Sequence, residues 1–403
     1  MTVAMPGVSP AAAPKRSAVH VPGLDGIRGL AILMVACHNM QMLDGQDLHG
    51  AAFWLHHFLN MGWVGVTLFF ALSGHLITGI LLDTVPQGAA NFGSRLGTFK
   101  RFFMRRALRI FPLYFGLLLV VFWLLPVVSM QPDMYAQESP QQAWYWLFLS
   151  NWSEPLGLTS GALPHLWSLG VEEQFYLLFP WLVMAWPRPR AVFWASLGIA
   201  ITCIVLRLVF WQITSAPETV YHWTIFRMDA LALGACTAAL QRDERLRQWF
   251  LREGARLAWL TLALLVGGAL LTRGYARSSM LGQTVGYSVL ALGFAYAVHA
   301  TSLQQQAVAG AGSGLAPLWL RVLSWSPLCR IGAYSYGFYI IHKPLHDALS
   351  ASAFQWLHGH MGSPVAAAVV HLTAATAAVF VLAALSHHFF ERPILRLKDR
   401  WAA

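Results

Sequence analysis

Apolar residues fall into ten segments, each close to the length that crosses a lipid bilayer. Short polar connections separate them. A helix needs roughly 20 apolar residues to span the ~30 Å hydrocarbon core of a membrane. The pattern therefore predicts an all-α, polytopic membrane protein with transmembrane helices at 24–43, 62–82, 109–128, 166–186, 191–213, 222–241, 257–272, 280–300, 331–350 and 364–386.

Basic residues are concentrated in alternate connections, and this one-sided placement predicts the orientation of the chain. The outer connections 44–61, 129–165, 214–221 and 351–363 contain no Lys or Arg, and only Arg273 and Arg277 fall on that side. The opposite connections are rich in Arg. Cytoplasmic loops carry the excess of positive charge in membrane proteins. Both termini are therefore predicted to be cytoplasmic.

Composition supports the assignment to membrane proteins and argues against a nucleic-acid partner. The 403 residues are 57% hydrophobic and only 11% charged, whereas soluble domains average ~25% charged residues. The net charge of +10 is explained by the positive cytoplasmic loops, so no nucleic-acid partner is expected. Four cysteines lie apart without a CxxC pair, which predicts neither a disulfide nor a metal site: Cys37, Cys203, Cys236 and Cys329.

Three regions are predicted along the chain. Residues 1–20 are rich in Ala and Pro and lack an apolar signal-peptide core, so they are interpreted as a disordered, uncleaved cytoplasmic tail. Residues 21–396 form the membrane domain, and 397–403 form a cytoplasmic C-terminal tail. The aromatic segment 144–152 is too short to span a membrane and is expected to be interfacial or re-entrant.

The first predicted helix carries three ionisable residues, which are costly at membrane depth and therefore functional candidates. Asp25 and Arg28 are three residues apart on one helix face, where they can pair. His38 lies ~15 Å further along the axis. One helix thus offers a cation near one membrane surface and an imidazole deep inside. This arrangement suits a reaction whose two substrates enter from opposite sides.

Two further groups lie on the cytoplasmic side. Ser73 and His75 interrupt the second apolar helix, which is explained either by close helix packing or by a binding role. Arg105, Arg106 and Arg109 are placed by the sequence at the cytoplasmic surface, where the third helix is predicted to begin. Guanidinium groups match phosphate oxygens bidentately. The cluster predicts either a seat for a phosphorylated substrate, such as coenzyme A, or ordinary anchoring to lipid headgroups.

The fourth predicted helix begins with polar residues near the outer surface. Ser168, Glu172 and Tyr176 follow at i, i+4 and i+8 on one face, and Glu173 is offset by ~100°. The two carboxylates are interpreted either as partners of a buried arginine, Arg207 or Arg227, or as a general base and imidazole-orienting group.

Two later helices add polar groups at membrane depth. Arg227 and Asp229 are two residues apart and cannot face each other on a helix, so each needs another partner. His342 precedes Lys343 and Pro344 in the ninth segment. A kinked helix with such groups must face a cavity or other protein.

Seven motifs together resemble the acyltransferase-3 family of integral-membrane acyltransferases. They occur in the family's order from about residue 22 to 395, at 24–38, 68–78, 105–114, 167–180, 227–234, 334–344 and 390–393. The resemblance implies about ten helices in the cell inner membrane. It also implies transfer of an acyl group, often acetyl, from cytoplasmic acyl-coenzyme A to a hydroxyl of a glycan or other acceptor. Acyl-coenzyme A would be a donor substrate, with no bound cofactor.

The resemblance also assigns residues. The family's essential Arg…His pair falls on Arg28 and His38, its RxxR signature on Arg106 and Arg109, and its SxxxE signature on Ser168 and Glu172. The family's S-G-F is S-G-H at 73–75, so the histidine either modifies donor binding or has no role. Many members carry an additional C-terminal esterase-like domain. The sequence ends soon after Trp401, so a second step is expected to need another protein.

The expected mechanism places the donor phosphates on the arginines and directs the thioester along the first helix toward His38. His38 either deprotonates the acceptor hydroxyl or accepts the acyl group transiently. Glu172, or else Glu173, assists from the acceptor side. The expected donor-binding arginines are Arg28, Arg105, Arg106 and Arg109, and the further substrate-binding candidates are Ser73, His75, Ser168, Tyr176, Arg227 and His342.

Two other functions fit parts of the pattern. A proton-coupled exporter or flippase would use His38, Glu172 and Arg227 as a proton relay. A non-catalytic scaffold of the cell envelope would need none of them. The sequence leaves the acceptor open among lipopolysaccharide, exopolysaccharide, peptidoglycan-type glycan and small molecules, and it leaves the acyl length and the oligomeric state open too.

Overall fold

The computed structural model describes residues 21–43, 48–86, 92–128, 130, 132–159, 161–213, 217–311 and 316–401. Within these ranges no strand occurs, and ten helices have 19 or more residues. Each overlaps one of the predicted apolar segments. They are α1 (Pro22–Met40), α2 (Val64–Thr84), α3 (Phe92–Leu119), α4 (Trp167–Ala185), α5 (Pro189–Ile213), α6 (Thr224–Arg242), α7 (Glu244–Leu271), α8 (Tyr287–Ala311), α9 (Ser335–Met361) and α10 (Pro364–Ser386).

Short helices connect the long ones. Three single π-turns continue long helices, at Val120–Leu124, Gly282–Gly286 and His387–Glu391. The aromatic segment 144–152 is divided between two four-residue helices, so it does not span a membrane. The other short helices are Gly50–Asn60, Met61–Trp63, Leu125–Val127, Asp133–Glu138, Ser139–Gln141, Ala143–Trp146, Ser150–Ser153, Glu154–Leu156, Pro164–Leu166, Pro217–His222, Leu318–Leu323, Ser326–Ala333 and Arg392–Trp401.

Five helical stretches of the described chain are long and apolar enough to cross a membrane, and they identify a multi-pass membrane protein. These are Gly50–Thr84, Gly93–Val127, Pro189–Ile213, Glu244–Leu271 and Pro364–Arg396. A tenfold crossing, cytoplasmic termini and the three regions of the chain stay predictions. Most of the predicted N-terminal tail, 1–20, lies outside the described residues.

The centre of the bundle is the contact of α6 with α2 and α5. Helices α2 and α6 approach backbone to backbone at two glycines. A Cβ atom on Gly74 would lie 1.8 Å from the carbonyl oxygen of Leu231, and one on Gly234 would lie 2.0 Å from that of Ala71. Small residues permit this close approach in membranes. By contrast α7 lies at the rim, because only 6% of its apolar stretch is buried.

Candidate functional site

A pocket opens between α1, α2, α3, α4 and α9. It contains about 820 Å³ of empty space, including its open mouth. One wall is apolar and includes Phe69, Phe70 and Leu76. The polar lining consists of three arginines, one carboxylate and six hydroxyl groups: Arg28, Ser73, Arg106, Arg109, Ser168, Glu172, Tyr176, Ser335, Tyr336 and Tyr339.

The helix that carries the arginine cluster, α3, begins earlier than its sequence pattern indicated. The expectation that this helix begins at Arg109 is wrong, because α3 already begins at Phe92. Arg106 follows 14 residues later, roughly 21 Å along the axis. The start of α3 is fixed against the end of α4, where Arg95 donates a 2.8 Å hydrogen bond to the carbonyl of Met184. Two arginines of the predicted cluster, Arg106 and Arg109, line the pocket.

Arg28 enters the same pocket from α1. Its Nη1 atom lies 2.6 Å from Oδ1 of Asp25, so the two residues pair as their spacing predicts. Asp25 does not itself line the pocket. The lining has three guanidinium groups and one carboxylate, that of Glu172. Asp25 compensates Arg28, so Arg106 and Arg109 are the two arginines of the lining that form no ion pair in the described part of the chain. An anionic ligand is favoured in a cavity with this excess of positive charge.

Glu172 lies among hydroxyl groups and arginines. Tyr176 and Ser73 face its carboxylate, and Arg106 and Arg109 act on it electrostatically. Ser73 Oγ and Tyr176 Oη share a short hydrogen bond. The guanidinium carbon of Arg106 lies 5.9 Å from the centre of the Tyr176 ring. Ser168, Glu172 and Tyr176 all line the pocket, in agreement with their spacing along one face of α4.

Helix α9 contributes residues that sequence reasoning did not single out. Ser335, Tyr336 and Tyr339 line the pocket. Tyr336 Oη donates a 2.6 Å hydrogen bond to the carbonyl of Ile110 on α3, and Ser168 Oγ lies 2.6 Å from Tyr339 Oη. A signal was present in the motif 334–344, whose hydroxyls at 335 and 339 are one helical turn apart.

His38 is not among the residues that line the pocket. It lies near the other end of α1, where the carbonyl of Asn60 and the cation of Arg277 face it. Its Nδ1 atom is buried and has no hydrogen-bond partner among the described residues. Gly62 passes close by, since a Cβ atom there would lie 3.0 Å from that of His38. The expected placement of Glu172 beside this imidazole is not what the structure has, because Glu172 lies with the arginines.

Several other predicted residues also lie outside the pocket. Arg105 is exposed on α3. His75 is buried between helices, with Nδ1 2.9 Å from the hydroxyl of Thr237 on α6. Glu173 is buried beside Glu172, and its Oε1 atom has no partner in the described chain. His342 is fully buried behind Tyr339, with Nδ1 2.7 Å from the carbonyl of that residue.

The expected pairing of Glu172 or Glu173 with Arg207 or Arg227 is wrong for Arg207. Arg207 instead pairs with Asp229, at 2.9 Å between Nη1 and Oδ2, and both side chains are buried. Asp229 thus finds a partner on another helix, as the sequence required.

Arg227 has a different environment. It donates a 2.9 Å hydrogen bond to the hydroxyl of Thr67. Its guanidinium carbon lies 4.7 Å from the ring centre of Tyr287 and 5.1 Å from that of Tyr221. No ion pair joins it to Glu172 or Glu173 in the described part of the chain. Aromatic faces therefore stabilise this buried cation.

The arrangement of the pocket suits an anion with an apolar extension. Guanidinium forks bind phosphate oxygens, and the wall of Phe69, Phe70 and Leu76 suits an apolar chain. Across the described residues, no group of three or more His, Cys, Asp or Glu side chains is placed to hold a metal ion.

Comparisons with known proteins agree with the motifs. A family model for an acyltransferase domain, acyltransferase-3, matches residues 21–388. A putative peptidoglycan O-acetyltransferase, YrhL of Bacillus subtilis, is 27% identical over 93% of this chain and 55% of its own length. The peptidoglycan O-acetyltransferase OatA of Listeria monocytogenes is 25% identical over 93% of this chain and 56% of its own.

The chain spans little more than half the length of these curated relatives. The O-acetyltransferase OatA of Staphylococcus aureus, strain NCTC 8325, shows the same pattern, with 26% identity over 93% of this chain and 57% of its own length. No solved structure matches the chain. Because the family model covers nearly all of the described residues, the chain belongs to the acyltransferase-3 family.

Proposed function

We propose that this protein is an O-acyltransferase of the cell inner membrane. It would move an acyl group, most simply acetyl, from cytoplasmic acyl-coenzyme A to a hydroxyl of a cell-envelope glycan. The observation that carries the proposal is the pocket of a family member in which three arginines, Arg28, Arg106 and Arg109, converge beside an apolar wall. Both parts match the chemistry of the donor.

The donor is anionic at its nucleotide end and uncharged along its pantetheine arm, whose methyl and methylene groups can pack against an apolar wall. Charge-assisted hydrogen bonds from guanidinium groups are about twice as strong as neutral ones, and the forks match phosphate geometry. Arg28, Arg106 and Arg109 would hold the phosphates in the pocket. The pantetheine arm would follow the wall at Phe69 and Phe70.

We assign the activation of the acceptor hydroxyl to His38. Its Nδ1 atom has no partner among the described residues, so one side of the imidazole can take the proton of a hydroxyl. A transient acyl-imidazole would use the same nitrogen. The relatives are named for peptidoglycan O-acetylation, and a peptidoglycan-type glycan is therefore the first acceptor to test.

Donor consumption tests the proposal most directly. The purified protein in detergent would be supplied with acetyl-coenzyme A and glycan fragments, and release of free thiol would be followed. His38→Ala is expected to lower thiol release by ~10²- to 10⁴-fold, the usual value of general acid–base catalysis. Thermal unfolding in detergent would be measured as well, to show that the variant remains folded.

His299→Ala is the matched control. His299 is another imidazole on a long helix; it contacts Gln241 and Phe250 and is not among the residues that line the pocket. An active, well-expressed His38→Ala protein would overturn the assignment of this residue. The wild type would also be tested with a panel of acyl-coenzyme A donors. If it neither binds them nor releases thiol, the proton-coupled exporter or flippase becomes the favoured function.

A further inference from the structure

The end of α1 that carries His38 lies beside a second basic group, Arg277. This arginine belongs to the connection between α7 and α8, and it acts electrostatically on His38. Arg273 and Arg277 are the only Lys or Arg residues in the connections that are predicted to be outer. His38 and Arg277 are both partly exposed, so both groups are accessible to a ligand.

Two aromatic rings connect Arg277 with His38. A Cβ atom on Gly62 would lie 3.0 Å from the Cβ atom of His38. The ring of Trp63, the next residue, has its centre 5.9 Å from that of Tyr221. The guanidinium carbon of Arg277 lies 4.0 Å from the centre of the same Tyr221 ring. His38 thus lies beside the backbone that carries Trp63, and Arg277 lies over the adjoining ring.

The turn that precedes Arg277 has an unusual backbone. Arg273, Gly274 and Tyr275 have φ angles of 53°, 80° and 58°. In the described chain three residues other than glycine have a positive φ, and two of them are in this turn. This conformation is costly for a residue with a Cβ atom, and it persists only where the surrounding structure imposes it. Strained backbone of this kind clusters at ligand-binding sites.

Hydrogen bonds hold the turn in this conformation. Thr272 Oγ1 accepts a 2.8 Å bond from the backbone N–H of Tyr275, whose hydroxyl donates a 2.8 Å bond to the carbonyl of Leu265. The side chain of Gln283, which is 1% exposed, donates a short hydrogen bond to the carbonyl of Arg277. The backbone of Arg277 is therefore fixed before a ligand arrives, which lowers the cost of ordering on binding.

A guanidinium over an aromatic ring is suited to bind an oxyanion. An aromatic ring interacts with the flat face of a guanidinium, whereas the N–H donors of that group point outward in its plane. In this arrangement Tyr221 stabilises the cation of Arg277. The N–H groups match the oxygens of a carboxylate or a phosphate.

The charge distribution of the two substrates indicates which of them would reach Arg277. Under the proposed function, the phosphates of acyl-coenzyme A lie in the arginine pocket with Arg28, ~15 Å along α1 from His38. The rest of the donor is uncharged. The thioester and the attacking hydroxyl share one acyl carbon, so they meet beside His38. A negative group that reaches Arg277 therefore belongs to the acceptor.

We propose that Arg277 is an acceptor-binding residue, which binds a carboxylate or phosphate group of the acceptor glycan and so holds the reacting hydroxyl beside His38. The inference rests on the proposed function, and it narrows the acceptor to an anionic glycan. A carboxylate on the sugar and a phosphate that links the glycan to a lipid are two sources of the same chemistry.

The test uses three acceptors that share one sugar skeleton. The first is the neutral disaccharide of N-acetylglucosamine. The second is the disaccharide of N-acetylglucosamine and N-acetylmuramic acid, which adds a carboxylate, and the third is the 1-phosphate of the neutral disaccharide. Thiol release from acetyl-coenzyme A and acetyl transfer would give kcat and KM for each acceptor with the purified wild type. We expect a lower KM for an anionic acceptor than for the neutral one, and the better of the two anions identifies the source.

Arg277→Gln should remove this preference. We expect its KM for the preferred anionic acceptor to rise roughly 10- to 100-fold, because charge-assisted hydrogen bonds are lost. Its kcat and its KM for the neutral disaccharide should stay close to those of the wild type. Arg277→Lys keeps the charge without the planar fork, so it should give an intermediate KM, and it replaces the Gln variant if that one does not fold.

Arg273→Gln is the matched control, because it makes the same change of charge in the same turn at an exposed residue. It should keep the preference of the wild type. Equal KM values of the wild type for neutral and anionic acceptors would overturn the proposal. So would an Arg277→Gln protein with wild-type kinetics, which would assign Arg277 to lipid headgroups.

A loss in Arg277→Gln that falls on kcat for all three acceptors would also overturn the proposal, because the guanidinium would then act on the reaction itself or on the fold. Thermal unfolding in detergent separates those two causes. A wild type that releases no thiol with any acceptor is a different result, in which the proposed function fails before any variant is compared.

Discussion

The arginines of the pocket and Arg207 are both charges within one apolar bundle, yet their surroundings differ completely. Arg207 donates to the carbonyls of Thr284 and Phe226, to the hydroxyl of Ser288 and to Asp229. Its side chain has no exposure. Arg106 and Arg109 instead face a cavity.

The difference shows how to tell structural from functional charges in a membrane. A charge is costly at that depth, so it either packs against partners within the protein or faces a cavity that a ligand can enter. Arg207 has every donor group engaged, so its role is to join α5, α6 and α8. Arg106 and Arg109 line an open pocket, and under the proposed function an anionic substrate would complete their environment. The predictions below test this distinction.

The largest effect is expected at the buried ion pair. Asp229→Ala leaves the charge of Arg207 buried without its carboxylate, and we expect the free energy of unfolding to fall by about 3–5 kcal/mol. Thermal unfolding in detergent measures it. Arg242→Ala is the control, because Arg242 pairs with Asp83 at the surface, where such pairs contribute about 0–1 kcal/mol. Equal losses in the two variants would contradict a structural role specific to Asp229.

In the pocket, a substitution should weaken donor binding and leave the stability of the fold nearly unchanged. Arg106→Ala removes charge-assisted hydrogen bonds to the donor, each worth about 1.5–3 kcal/mol, so donor affinity should fall by roughly 10- to 100-fold. The unfolding temperature should hardly change. Arg101→Ala, on the same helix but exposed and outside the pocket, should bind the donor as the wild type does. Calorimetry with acetyl-coenzyme A measures the affinity. If Arg106→Ala binds the donor as tightly as the wild type, the arginines do not bind the donor.

The contact between α2 and α6 offers a third test. Helix α2 lines the arginine pocket, and α6 carries Asp229, the partner of Arg207. Gly74→Ala places a methyl group 1.8 Å from the carbonyl oxygen of Leu231, so the helices must separate. Overpacking of this kind costs about 1–3 kcal/mol, and we expect lower stability and weaker donor binding together. Gly116→Ala meets nothing within 4 Å and should leave both unchanged. Unaltered thermal unfolding of Gly74→Ala would show that the helices separate without cost.

The smallest effect is expected at His75, where the sequence departs from the family motif. His75→Gln disturbs a hydrogen bond to Thr237, and the net value of such a bond is about 1 kcal/mol. Donor affinity should remain within twofold, because the imidazole does not line the pocket. A larger change in donor affinity, measured by the same calorimetry, would show that His75 takes part in donor binding.

Local spacing was a reliable guide where two residues share one helix. The pairing of Asp25 with Arg28 and the common face of Ser168, Glu172 and Tyr176 follow from the geometry of a single helix. Partners on other helices were not predictable in this way. Arg207 finds Asp229, and Tyr339 finds Ser168, only because α5 packs on α6 and α9 packs beside the start of α4.

The sequence by itself determined the helical class, the family and an apolar segment that overlaps each of the ten long helices, but not the starts of α3 and α7. Hydropathy and local motifs depend on neighbours in the chain, and these are visible without a fold. Only the tertiary structure decided that Glu172 lies with the arginines and apart from His38, and that Arg106 lines a pocket together with Ser335 and Tyr339 of α9. The physical reason is that these relations depend on which helix faces meet. In a bilayer close packing and interhelical hydrogen bonds select those faces, and hydropathy does not.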